Sequence, residues 1–261
     1  MSEANGERST RRSENERALN RDRYDAVLLD LDGVITDTAS VHAACWKQMF
    51  DEYLRKRATQ SREVFRPFDS AADYRLYVDG KPRFDGVRDF LTSRDIQLPE
   101  GTPDDPPNAE TVGGLGNRKN ELVNGIIEDI GVEPYEGSVK LIHQLRGRGF
   151  KIAVVTSSQN CAAVLKAAGL DSDLKVHVDG NVIHAKQLAG KPAPDAFLMA
   201  AQLLSVEPKR AIVIEDAISG VQAGRNGNFG LVIGIARKAN AEELQRQGAH
   251  LVVNDLSEFA D

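Results

Sequence analysis

Asp30 and Asp32 stand two residues apart at the end of an apolar run, Ala26-Val27-Leu28-Leu29, and the turn residue Gly33 follows at once. A second acidic pair, Glu215-Asp216, ends another apolar run, Ile212-Val213-Ile214. Between them lie Thr156-Ser157-Ser158, closing the run from Lys151, and Lys191 in Gly190-Lys191-Pro192-Ala193-Pro194. Four carboxylates on one rim repel each other unless a cation joins them, and an all-oxygen set without His or Cys suits Mg²⁺ better than zinc or copper. With a lysine ammonium and a hydroxyl opposite, such a site would hold the equatorial oxygens of a phosphoryl group. One carboxylate could attack phosphorus to give an aspartyl-phosphate, and another, two residues on, could protonate the leaving oxygen and activate the next acceptor. Taken singly the signals are bland: a turn at Asp-x-Asp-Gly, helix caps at Thr156, Asn160 or Glu215-Asp216, a solvated Lys191. Their joint occurrence at successive strand ends favours an active site. Two nucleotide motifs fail by contrast. Gly114-Leu115-Gly116 meets lysine at position 119 where a dinucleotide fingerprint needs glycine, and Gly190-Lys191 is followed by proline, with Ala185 in place of a first P-loop glycine.

The elements that must position these groups show in the hydrophobic pattern. The apolar run between Tyr24 and Leu31 suits a strand buried on both faces. Strands are expected at Lys151–Thr156, Leu174–Val178, Ala211–Ile214, Leu231–Ile235 and Leu251–Val253. Helices are expected between them at Asn160–Ala168, Pro194–Leu204, Ser219–Arg225 and Ala241–Gln247. This alternation predicts an α/β fold with a doubly wound parallel sheet, whose working site lies beyond the C-terminal strand ends.

An inserted, mainly helical segment over residues 39–136 separates the first strand from the rest, so the core comprises 24–38 and 137–261. In the insertion Trp46, Met49, Phe50, Tyr53 and Leu54 follow helical spacing after a cap at Asp37 or Thr38, with His42 one turn before Trp46. Residues 55–117 lose clean periodicity and carry Pro67, Pro82, Pro99, Pro103, Pro106 and Pro107; a helix is expected from Arg118 to Ile130, closed by Gly131. Residues 1–23, with six arginines and five carboxylates and no apolar period, read as a tail.

The chain has 261 residues, and 33 Lys+Arg against 39 Asp+Glu give a formal charge of −6. Dispersed, mildly acidic charge argues against nucleic acid as partner. No apolar run reaches the roughly 20 residues a membrane span needs, and no signal peptide is evident. Cys45 and Cys161 are too few for a disulfide scaffold and are expected to pack as small hydrophobes. A cytoplasmic monomer or weak oligomer is expected.

Together the motifs resemble the haloacid dehalogenase (HAD) superfamily. Asp30-Leu31-Asp32-Gly33-Val34-Ile35-Thr36-Asp37-Thr38 resembles its first motif, Thr156 its second, Lys191 in Gly-Lys-Pro-Ala-Pro-Asp its third, and Glu215-Asp216-Ala217-Ile218-Ser219-Gly220 its fourth. The resemblance spans most of residues 24–38 and 137–255, and within the superfamily it is greatest to the β-phosphoglucomutase-like branch, which carries a helical cap after the first motif. It implies Asp30 as nucleophile and Asp32 as general acid/base, with the Asp32 carbonyl, Glu215 and Asp216 completing an Mg²⁺ site with Asp30. Thr156 and Lys191 would hold the transferring phosphoryl group. Ser158, Gln159 and Asn160 occupy positions where the mutases bind the substrate's other end. His42 and Trp46 match a cap His and Trp, and either Arg118 or Lys119 aligns with a basic cap segment. Gln159 stands where the mutases carry lysine, and Phe65–Pro107 departs from their compact cap. The implied activity is Mg²⁺-dependent phosphoryl transfer on a small phosphorylated sugar, β-glucose 1-phosphate to glucose 6-phosphate. A sugar-phosphate phosphatase is the near alternative; a non-catalytic phospho-receiver and a sugar-phosphate-binding regulator are remote ones.

Overall fold

Every residue of β1 (Ala26–Leu29) is buried, as a continuous apolar run in a two-sided sheet requires. In this computed structural model, which describes residues 18–237 and 240–260, five further strands join it: β2 (Lys151–Val155), β3 (His177–Val178), β4 (Ala211–Glu215), β5 (Leu231–Ile235) and β6 (Leu251–Val253). All pair in parallel, in the order β3-β2-β1-β4-β5-β6. Leu29 lies opposite Val154 on one side and Ile214 on the other, so β1, β2 and β4 end level. That register sets Asp30, Thr156 and Glu215-Asp216 side by side.

Alternate residues of β1 serve opposite faces. Val27 and Leu29 join one apolar cluster with Ile142, Val154, Val164 and Ile214; Ala26 and Leu28 join another with Val155, Phe197, Val213 and Val221. The helices that cover these faces follow the strand–helix alternation closely. A third cluster belongs to the insertion. Its helices are α1 (Ala39–Ser61), α2 (Arg83–Ser93) and α3 (Val112–Ile130), with a π-helical turn at Tyr74–Val78. Trp46, Met49, Phe50, Tyr53 and Leu54 all face that cluster, where Phe50 packs on Trp46, Phe68 and Phe90 with ring centroids 5.3, 5.2 and 4.1 Å away. The two chain crossings into the insertion pair with each other: Asp37 N–H donates to Glu133 O at 3.0 Å and Tyr135 N–H to Ile35 O at 2.9 Å.

Beyond the insertion, α4 (Glu136–Gly147), α5 (Cys161–Ala167), α6 (Gly180–Ala185), α7 (Asp195–Leu203), α8 (Ile218–Asn226) and α9 (Ala241–Arg246) complete the layers. Cys45 and Cys161 are both buried free thiols. No helix among the described residues is long and apolar enough to cross a membrane.

Four expectations need correction. The strand expected at Leu174–Val178 is only His177–Val178, because Leu174 N–H bonds back to Leu170 O at 3.0 Å and ends a turn. The helix expected from Arg118 begins at Val112: glycines of low helix propensity mask its first turn, whose N–H groups are taken by Pro99 O, Glu100 O and the Thr111 hydroxyl. Residues 55–117, which show no period, nevertheless hold the end of α1, the π turn and α2, the last burying Val87, Phe90 and Leu91. Part of the tail expected over 1–23 packs on the core: Leu19 is fully buried and the Arg21 guanidinium lies over Phe150, while residues 1–17 lie outside the described residues.

Phe50 carries the insertion's aromatic cluster. Phe50→Ala is expected to destabilise the protein by about 3–5 kcal/mol, read as a lower urea midpoint by tryptophan fluorescence, since Trp46 stacks on the same ring. An unchanged midpoint would count against that cluster as a stabilising unit.

Candidate active site

The groups at the three level strand ends are drawn together by one ammonium. Lys191, 3% exposed, reaches in from the loop before α7, and its Nζ donates to Asp30 Oδ1 at 2.6 Å, to Val155 O at 3.3 Å and to Glu215 Oε1. These three bonds use every proton an ammonium has. Burial raises the carboxyl pKa values of Asp30 and Glu215, and the Lys191 charge opposes the rise. Burial would also discharge the lysine, but Asp30 and Glu215 hold it protonated well above the ordinary lysine range. The second Glu215 oxygen accepts from Asp216 N–H and Ala217 N–H, each at 3.1 Å. Glu215 therefore fixes the turn into α8.

Carboxylate oxygens of Asp30, Glu215 and Asp216 all lie within 4.8 Å of one another. The donors of that buried cluster are hard oxygens, with no His or Cys among them. Those residues therefore fit Mg²⁺. The approach of Asp216 depends on Gly33, at φ +89°, because a Cβ there would fall 2.2 Å from Asp216 Oδ2. The Asp32 side chain is not in the acidic group. It turns to the Thr38 hydroxyl, which donates to its Oδ1, and to His42, whose Nε2 is 3.6 Å from the same oxygen. Thr38 thus holds Asp32 and does not cap α1. Burial raises the Asp32 pKa against the Thr38 hydrogen bond.

His42 is itself set by the insertion. Lys119 Nζ lies 2.9 Å from His42 Nδ1 and 5.0 Å from the centroid of the Trp46 ring. An ammonium can only donate, so Nδ1 is the acceptor and the ring proton sits on Nε2, facing Asp32. Burial, reinforced by the Lys119 charge, pushes the His42 pKa well down, which keeps the ring neutral. Burial also pulls Lys119 down to about 8, with Asp32 opposing.

Asp30, Asp32, His42, Trp46, Lys119, Thr156, Ser158, Gln159 and Asp216 line one cavity between core and insertion, with Lys191 and Glu215 beneath it. Asn160 stands behind the wall, and its amide donates to Asn120 Oδ1 at 3.1 Å. Of the two basic residues at the head of α3 only Lys119 faces the cavity. Arg118, about 100° further round the helix, ion-pairs with Glu52 and stays 40% exposed.

Sequence reasoning missed Tyr74, Asp79 and Arg83, which line the same cavity. The Tyr74 phenol is buried, and its pKa is raised well above the ordinary range. Arg83 opens α2, where its guanidinium donates to Gln159 Oε1 at 2.5 Å and to Asn117 Oδ1 at 2.8 Å. A signal for Arg83 existed in Gly80-Lys81-Pro82-Arg83, a turn glycine and a proline delivering a basic residue to a helix start.

Lys119 is a buried cation whose charge costs stability. Since its folded pKa lies near 8, below the unfolded value, the penalty is complete below pH 8 and fades as pH rises toward 10. Lys119→Met is accordingly expected to raise Tm by a few degrees at pH 7, and the advantage to shrink by pH 10. A lower Tm at pH 7, measured calorimetrically, would contradict this.

Comparison with known proteins agrees with the fold. A family model for haloacid dehalogenase-like hydrolases matches residues 24–228. A β-phosphoglucomutase of Mycobacterium bovis is 53% identical over 237 residues, covering 90% of each chain. A Bacillus subtilis β-phosphoglucomutase is 31% identical over 236 residues, 90% of this chain and 91% of the relative. The crystal structure of a Clostridium difficile β-phosphoglucomutase superposes with a TM-score of 0.71 at 25% identity, covering 90% of this chain and 92% of that one. With the motifs, the sheet order and these relatives in agreement, the chain belongs to the haloacid dehalogenase-like hydrolase family.

Proposed function

We propose that the protein is an Mg²⁺-dependent phosphomutase that converts β-glucose 1-phosphate to glucose 6-phosphate through a phosphorylated Asp30. The observation that carries this reading is one cavity lined both by Asp30 and Thr156, with Lys191 beneath them, and by two further cations, Arg83 and Lys119. A sugar bisphosphate, the species a mutase must hold, needs a phosphate site at each end. A phosphatase releasing one phosphate needs only the first. The name of the 53% identical mycobacterial relative agrees with this choice.

Each residue then has a role its geometry suits. A carboxylate oxygen of Asp30 attacks phosphorus, while the Thr156 hydroxyl holds a phosphoryl oxygen and Lys191 supplies positive charge beside Asp30. Asp32 protonates the departing sugar oxygen and later takes the proton from the attacking hydroxyl. Burial keeps Asp32 ready to carry that proton, and Thr38 and the neutral His42 hold it in place. Asp30, Glu215, Asp216 and the Asp32 carbonyl would hold Mg²⁺, which when bound neutralises charge at the phosphoryl group. Lys119 and Arg83 would bind the distal phosphate, with Ser158 and Gln159 around it and Asn160 behind them. Trp46 walls the sugar. Residues 39–136 would act as a cap whose closure excludes water.

The test is phosphorus NMR with Mg²⁺, β-glucose 1-phosphate and a little glucose 1,6-bisphosphate. Glucose 6-phosphate is expected to accumulate without inorganic phosphate, and stoichiometric phosphate release would establish a phosphatase instead. In the same assay Asp32→Asn is expected to lower turnover by roughly 10²–10⁴-fold. Turnover at the native rate would refute the acid/base role.

A further inference from the structure

The loop that roofs the cavity from the insertion is gripped by the core at two backbone carbonyls. Ser157 Oγ, just past β2, donates to Gly80 O at 2.8 Å. Ser219 Oγ, in the first turn of α8, donates to Asp79 O, also at 2.8 Å. Since β2 and β4 flank β1, the two grips stand on either side of Asp30. Gly80 has φ +71°, and a Cβ there would come 2.5 Å from Ser219 Oγ and 3.0 Å from Ala217 Cβ, so the loop sits this close because that residue is glycine.

These bonds differ in kind from the side-chain crossings between core and insertion at the cavity, such as Asn160 to Asn120 and Arg83 to Gln159. The Arg83–Gln159 contact joins side chains that a bound substrate would claim. The serines donate instead to main-chain carbonyls, and Ser219 stands outside the cavity lining.

We propose that Ser157 and Ser219 are positioning residues: they pin the Asp79–Gly80 loop over Asp30 and so set how often a sugar hydroxyl, rather than water, receives the phosphoryl group. This rests on the mutase reading above. In the competing step the oxygen of water bonds to phosphorus, the P–O bond to Asp30 breaks, one water proton passes to Asp32, and inorganic phosphate leaves. Water reaches the phosphoryl group only when the loop lifts. Losing one neutral hydrogen bond shifts such an opening by about fivefold.

The experiment compares the full-length protein with Ser157→Ala, Ser219→Ala and the double variant in the phosphorus NMR assay with β-glucose 1-phosphate, glucose 1,6-bisphosphate and Mg²⁺. Amide hydrogen exchange over residues 79–84 is read in parallel. Inorganic phosphate per sugar converted is expected to rise about fivefold in each single variant and about 25-fold in the double one. Exchange at residues 79–84 is expected to quicken alongside, and Ser157→Thr, which keeps the hydroxyl, to stay near wild type. A partition ratio unchanged in the double variant overturns the proposal. Should the wild-type protein not convert glucose phosphate at all, the sugar reading fails by itself. Exchange then decides the clamp, because quickened exchange in the double variant upholds it and unchanged exchange removes it.

Discussion

One buried ammonium organises this molecule. Lys191 is held between Asp30 and Glu215 with all three of its protons placed, and the strand ends supplying those partners must stay level for the bonds to form. A buried charge without a partner is among the more destabilising features a core can contain, so the parallel register of β1 and β4 and the reach of the loop before α7 are tied to one another. Asp216 brings a third carboxylate within 4.8 Å of those of Asp30 and Glu215, and this set of hard oxygens is the reason the site fits a divalent cation.

How much of this could be read from the chain depended on whether burial or packing decided the element. Strands β1, β2, β4, β5 and β6 lie within a residue or two of their apolar runs, since a two-sided sheet demands continuous hydrophobicity and leaves little else for those residues to do. Asp30, Thr156, Lys191, Glu215 and Asp216 showed as a set because each follows such a run or a turn at a known end. The insertion was harder. Its helices turn only a narrow face inward, and α2 and the π turn sit among prolines and arginines that blur any period. Arg83 was lost there, as its partners Gln159 and Asn117 come from other elements and leave no trace in local sequence. Lys119 could not be told from Arg118 for a similar reason: the choice turns on the rotation of α3, set by Val112, Leu115 and Val123 facing inward.

The polar chain from Lys119 through His42 to Asp32 shows why core and insertion cannot be understood apart. Asp32 belongs to the core, but the proton that faces it sits on His42 Nε2, and it sits there because Lys119 occupies Nδ1. Lys119 in turn is buried against Trp46, whose ring is fixed by Phe50 and the aromatic cluster behind it. Lifting the insertion away would expose His42 and Lys119 to water, free the ring to adopt either tautomer, and leave Asp32 with Thr38 as its protein donor from the first motif. Under the proposed mechanism the acid/base arrangement is therefore complete only while the insertion lies on the core. Closure and proton transfer would then share the same contacts, so a phosphoryl group would meet a correctly held Asp32 in the state from which water is excluded.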